Sequence, residues 1–97
     1  MKKYNEKELE IILEQKLDLW KNINFEYIEC NLKFKDFKEV MTFINKVADL
    51  AEEMNHHPDI FISYNKLNLQ LVTHSEKAIT ILDTDLAYKI QELYKTN

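Results

Sequence analysis

Residues 28–54 read IECNLKFKDFKEVMTFINKVADLAEEM, and the spacing of their apolar residues changes once along the way. Ile28, Cys30, Leu32 and Phe34 alternate with Glu29, Asn31 and Lys33, a period of two that predicts a half-buried strand over residues 25–34. From Phe37 onward the spacing becomes three and four. Phe37, Val40, Met41, Ile44, Val47, Ala48, Ala51 and Met54 then share one face of an amphipathic helix. Asp36, with Glu39 three residues on, is the signature of that helix's first turn. A half-buried strand leading directly into an amphipathic helix calls for a layer of each kind, packed face to face.

Working outward, Pro58 cannot continue the helix and pushes the residue before it out of helical dihedrals, so the helix should end near Asn55 or His56. Two β-rich runs follow, residues 60–64 and 67–73. In the second, Leu67, Leu69 and Leu71 alternate with Asn68, Gln70 and Val72, and Asn65-Lys66 is the predicted turn between the two. On the other side, a short strand is expected from Trp20 to Ile23. Asn5 with Glu8, and Thr80 with Asp83, resemble the capping boxes of a first and a last helix. The order α-β-β-α-β-β-α implies an α+β fold, a four-stranded antiparallel sheet with helices packed on one face. With 97 residues, no internal repeat and no break in composition, residues 1–97 are expected to form a single domain. The uncovered sheet face is left to solvent or to a second subunit.

Composition narrows the function. Thirteen basic residues against seventeen acidic ones, scattered rather than gathered in a stripe, disfavour direct nucleic-acid binding. The chain contains no glycine, which excludes the Gly-rich loops that cradle phosphates and dinucleotides. Its apolar runs fall far short of the roughly 20 residues needed to span a bilayer. Met1-Lys2-Lys3 leads into Tyr4-Asn5-Glu6 rather than into an apolar signal core, so a cytoplasmic location is expected. The lone Cys30 cannot form an internal disulfide and reads as a core residue rather than a nucleophile.

The three histidines fall at two places, His56-His57 after the central helix and His74 after the last strand. A turn at Asn65-Lys66 would pair Tyr64 with Leu67 and set His57 opposite His74. Glu52 lies one helical turn before His56, where a carboxylate can fix an imidazole tautomer. Histidine titrates near pH ~6.5 when unperturbed, so a cluster can supply a proton donor and a proton acceptor at neutral pH without a cofactor. Two blander readings compete with this one. Adjacent loop histidines are often only solvated. Three histidines can also hold zinc, but His56 and His57 are neighbours rather than an i, i+4 pair and no cysteine lies near them.

Taken together, Glu52-x3-His56-His57-Pro58-x5-Tyr64-x9-His74-x8-Asp83 resembles the signature of the pterin-4a-carbinolamine dehydratases. The stretches 34–37 (FKDF), 51–58 (AEEMNHHP), Tyr64-Asn65-Lys66 and Thr73-His74 are similar to that family in order and spacing, and Trp20 stands at the family's early tryptophan. Leu19 and Ala78-Ile79 depart from it, standing where Gly and Gly-Leu are usual. The resemblance implies the same fold, in homodimers that can pair into homotetramers. It implies a lyase that takes the 4a-carbinolamine left by an aromatic amino acid hydroxylase and eliminates the 4a-hydroxyl as water, giving quinonoid dihydropterin in tetrahydrobiopterin recycling. No metal and no organic cofactor are required. It marks His56, His57 and His74 as catalytic together with Glu52, and Asn55, Pro58, Thr73 and Ser75 as neighbours of the pterin. Asp83 also reads as a helix-capping acid, and Tyr64 and Trp20 as packing residues. Some animal members of the family double as dimerisation cofactors for a homeodomain transcription factor, so an interaction module of the same fold is the alternative function.

Overall fold

The computed structural model describes residues 1–96. Its elements run α1 (Glu6–Lys16), β1 (Trp20–Ile23), β2 (Tyr27–Lys33), α2 (Phe37–Met54), β3 (Asp59–Ser63), β4 (Lys66–Leu71), a single 3₁₀ turn (His74–Glu76) and α3 (Ile81–Lys95). The strands form one antiparallel sheet in the order β1-β2-β4-β3. This is the α+β order read from periodicity, and the capping residues explain where its helices begin. Asn5 and Thr80 each open a helix with a complete capping box, closed by Glu8 and Asp83. At Asp36 only the forward half forms, with the carboxylate accepting the Glu39 N–H at 2.9 Å.

Side-chain alternation decides which sheet face the helices cover. Ile28, Cys30, Leu32, Leu67, Leu69 and Leu71 are all buried, together with Val40, Phe43 and Val47 of α2 and Leu86 and Ile90 of α3. Phe34, Phe43 and Tyr94 close one end of this core, with ring centroids 5.1–5.8 Å apart and Tyr94 edge-on to both phenylalanines. Cys30 lies inside it, and burial pushes its thiol up to about 12, which makes it a packing residue rather than a nucleophile. The opposite face carries a polar ladder, in which Asn68 Nδ2 donates to Glu29 and Asn31 and Gln70 Nε2 donates to Asn68.

The hairpin register differs from the sequence expectation. Ser63 pairs with Lys66, so the two-residue turn is Tyr64-Asn65 rather than Asn65-Lys66, and Ile62 rather than Tyr64 faces Leu67. A clamp with the end of β2 holds the turn there. The Phe34 N–H donates to the Asn65 carbonyl at 2.8 Å, and Asn65 Nδ2 donates to the Phe34 carbonyl at 3.0 Å. With β3 beginning at Asp59 and β4 ending at Leu71, no strand pairing joins His57 to His74. Both histidine segments nonetheless leave the sheet at the same end, because β3 starts where β4 stops.

Strand β3 is the edge strand beyond the helix layer. All five of its residues are exposed, including Ile60, Phe61 and Ile62 at 41%, 56% and 36%. Among the described residues, no helix is long and apolar enough to cross a membrane.

Phe43, 1% exposed, joins α2 to the aromatic end of the core. Phe43→Ala is expected to lower unfolding free energy by about 3–5 kcal/mol, measured by urea denaturation. Alanine at the exposed Phe37 should cost less than about 1 kcal/mol.

Candidate active site

The site is built where α2 ends. Asn55 adopts the left-handed conformation (φ 51°, ψ 42°), and the His56 N–H reaches back to the Ala51 carbonyl at 3.0 Å, a Schellman closure that stops the helix. Glycine is the usual residue here, and asparagine is the one that tolerates the left-handed region best after it. The reversal sends the next two side chains to different places.

His56 turns inward. Its Nε2 lies 2.6 Å from Oδ1 of Asp83, whose side chain is fully buried. The other carboxylate oxygen, Oδ2, accepts the Thr73 hydroxyl at 2.8 Å and the Thr80 N–H at 2.8 Å. Thr73 gives its only hydroxyl proton to Asp83, so in the 2.6 Å contact between the two threonines it is Thr80 that donates. A buried carboxylate is tolerable only when its lone pairs are taken up in this way. His56 therefore carries its proton on Nε2, with Asp83 as acceptor.

His57 turns outward. Its Nε2 bonds Oε2 of Glu52 at 2.5 Å, with both side chains mainly exposed. The carboxylate expected to orient His56 thus orients His57. The i, i+4 spacing presupposes a continuous helix, and α2 stops at Met54. His74, exposed, opens the 3₁₀ turn just beyond β4.

The residues expected beside the pterin divide in the same way. Asn55 and Ser75 are exposed, and Pro58 is half-buried next to His57. Thr73 is 3% exposed and fully engaged. Its hydroxyl bonds Asp83, its N–H bonds the Ala78 carbonyl, and its own carbonyl accepts from Glu76 and Ala78. It holds the loop in place, and both its hydroxyl proton and its amide proton are taken. Asp83, read from sequence as a capping acid, is also the partner of His56. The capping box Thr80-x-x-Asp83 accounts for this residue locally, so its bond to His56 has no local signal, and its place in the resembled signature is the one the sequence offers. A cleft of about 670 Å³ between α1 and α3 has none of the histidines on its wall. Concavity alone would therefore point away from the titratable cluster.

Comparison with known proteins identifies the family. Residues 2–93 match the family described as pterin 4 alpha carbinolamine dehydratase. The chain belongs to that family. A member from Sulfurisphaera tokodaii is 48% identical over 93 residues, covering 96% of this chain and 98% of its own. One from Thermomicrobium roseum is 55% identical over 60 residues, covering 62% of this chain and 64% of its own. The crystal structure of a transcriptional coactivator/pterin dehydratase from Brucella melitensis superposes with a TM-score of 0.87 at 35% identity, over 94% of this chain and 97% of that one. A pterin dehydratase-like RuBisCO assembly factor of the alpha-carboxysome shares the fold, with a TM-score of 0.65 at 18% identity over 76% of this chain and 87% of that one. The family is one of dehydratases, and this chain is an enzyme of that kind.

Burial separates the two histidine–carboxylate pairs energetically. Asp83→Ala would strand three donors in the interior and should cost about 3–5 kcal/mol. Glu52→Ala, at an exposed pair, should change stability by less than about 1 kcal/mol. Urea denaturation of the two variants checks the contrast, and equal losses would refute it.

Proposed function

We propose that the chain eliminates water from a 4a-hydroxytetrahydropterin by histidine acid–base catalysis, in cytoplasmic recycling of the tetrahydropterin used by an aromatic amino acid hydroxylase. The observation that carries this reading is the exposed Glu52–His57 pair, set beside a buried His56–Asp83 pair at the end of the sheet that also bears His74. Hydroxide is a poor leaving group, so the 4a-oxygen must receive a proton as the C4a–O bond breaks. The proton on N5 must leave as the C4a–N5 double bond forms.

Exposure favours one division of roles. With Nε2 of His57 held by Glu52, Nδ1 is the nitrogen left to exchange a proton with substrate, and His57 is the acid. His74, exposed and without a side-chain hydrogen bond among the described residues, takes the N5 proton. His56 has Nε2 committed to Asp83 and is nearly buried, which suits it to holding the substrate's position rather than to carrying protons into solvent. Asn55, Pro58 and Ser75, which flank the histidines, are proposed to contact the pterin.

The working form is proposed to be a homodimer. Antiparallel pairing of β3 with its own copy about Phe61 would set Asp59 opposite Ser63 and Ile60 opposite Ile62, with no like charges facing. It would also cover an apolar edge that otherwise invites aggregation.

Stopped-flow ultraviolet absorbance on chemically generated 4a-hydroxytetrahydropterin tests the chemistry. Wild type should accelerate its loss, and His57→Ala should be at least about 10²-fold slower. A loss of twofold or less in a folded His57→Ala variant would remove His57 from the mechanism. No acceleration by wild type would remove the reaction. Sedimentation equilibrium should find wild type dimeric and Phe61→Asp monomeric, and a monomeric wild type at micromolar concentration would refute the edge pairing.

A further inference from the structure

Among the described residues of this glycine-free chain five adopt positive φ, and the Asn24-Phe25 tip of the β1–β2 hairpin holds two of them in succession, at 55° and 58°. Asparagine is at ease there, but a bulky aromatic residue is a true outlier. The tip is nevertheless firmly built. Asn22 Oδ1 accepts the Phe25 N–H at 2.8 Å, and the Glu26 N–H bonds the Ile23 carbonyl at 2.9 Å. Asn22 Nδ2 in turn donates to Glu6 at 3.0 Å and Glu10 at 2.7 Å, tying the tip to the first turns of α1. A strained phenylalanine is thus held rigidly and left 38% exposed, where it contributes little to the core.

Its place in the sheet gives it a use. Strand β2 pairs with β4 so that Ile28 lies opposite Leu71. Three residues beyond that pair on each chain lie Phe25 and His74. The hairpin tip therefore rises at the same end of the sheet as the histidines, on the far side of β4 from His57-Pro58. The other exposed aromatic residue at positive φ, Tyr64, sits at the opposite end of the sheet in the β3–β4 turn.

We propose that Phe25 is a substrate-binding residue, an aromatic wall held by its strained hairpin against the flat ring of the substrate beside His74. The proposal rests on the pterin reading above. A fused planar heterocycle offers a π-face to which an aromatic ring adds affinity without entering the proton transfers. Phe25 would therefore act on binding and leave the chemical step alone.

Steady-state kinetics and equilibrium binding of 7,8-dihydropterin, followed by its fluorescence, test this in wild type and in Phe25→Ala, Phe25→Gly and Phe25→Tyr. Alanine and glycine should raise KM and the dihydropterin Kd about tenfold with kcat within twofold, and tyrosine should restore both constants. Glycine, at home at positive φ, should also keep or raise Tm while losing affinity, a split that a merely structural residue would not give. The proposal is overturned if KM and Kd stay within twofold of wild type in both the alanine and the glycine variants. It is also overturned if affinity falls only in proportion to lost folding. Dihydropterin binding that depends on Phe25 in a protein without dehydratase activity would uphold this inference while removing the proposed reaction. Normal binding by active Phe25 variants would do the reverse.

Discussion

The Asp83 carboxylate is the point on which the rest of the site depends. Donors from three separate segments converge on it: the His56 ring after α2, the Thr73 hydroxyl after β4 and the Thr80 N–H at the start of α3. A fully buried carboxylate cannot tolerate losing one of them, so the three segments are obliged to meet. The constraint spreads further. Thr73 bridges Ala78 across the intervening turn, and the segment that follows is bound to the N-terminus, with Tyr4 donating to the Ile79 carbonyl and Ile81 to that of Lys2. The loop that presents His74 is thereby fixed at both ends without a regular strand or a long helix inside it.

The absence of glycine gives the backbone reversals an unusual cost and an unusual use. At Asn55 the left-handed residue is one that tolerates the conformation, and it sends His56 into the protein and His57 out of it. Two identical neighbours thereby acquire different environments from a single reversed residue. One is locked to a buried carboxylate, and the other is oriented by an exposed one. That asymmetry lets a single His-His pair supply both a rigid group and an accessible one.

Much of this was legible in the sequence, and the failures have physical causes. Periods of two and of three to four located all four strands and all three helices, because each element buries one face against the other layer. The hairpin turn was misplaced by one residue because the error moves each strand partner by two. Every side chain then stays on its face, and the apolar pattern cannot tell the registers apart. What decided the register was the clamp between Phe34 and Asn65, a contact between residues far apart in sequence. The partner of Glu52 was misjudged for a similar reason. Helical spacing names His56, but Asn55 ends the helix first, and nothing in the sequence fixes that reversal as left-handed. Likewise the bond between His56 and Asp83 spans α2 and α3 and has no local signature.

Strand β3 begins only two residues after His57, with Pro58 between them, so the accessible histidine is anchored on one side by a helix end and on the other by an edge strand. Within one chain that strand is held by β4 alone and leaves both faces to solvent. Local opening draws on segments with few buried contacts, and β3 is such a segment. A second copy paired along the same edge would bury Ile60 and Ile62 and restrain Asp59 and Pro58. The geometry of His57 would then be set partly by the neighbouring subunit even if no residue of that subunit touched the substrate. Subunit pairing and the geometry of His57 would be linked through the stiffness of one short strand, and conditions that separate the subunits would loosen His57 before they disturbed the buried His56–Asp83 pair.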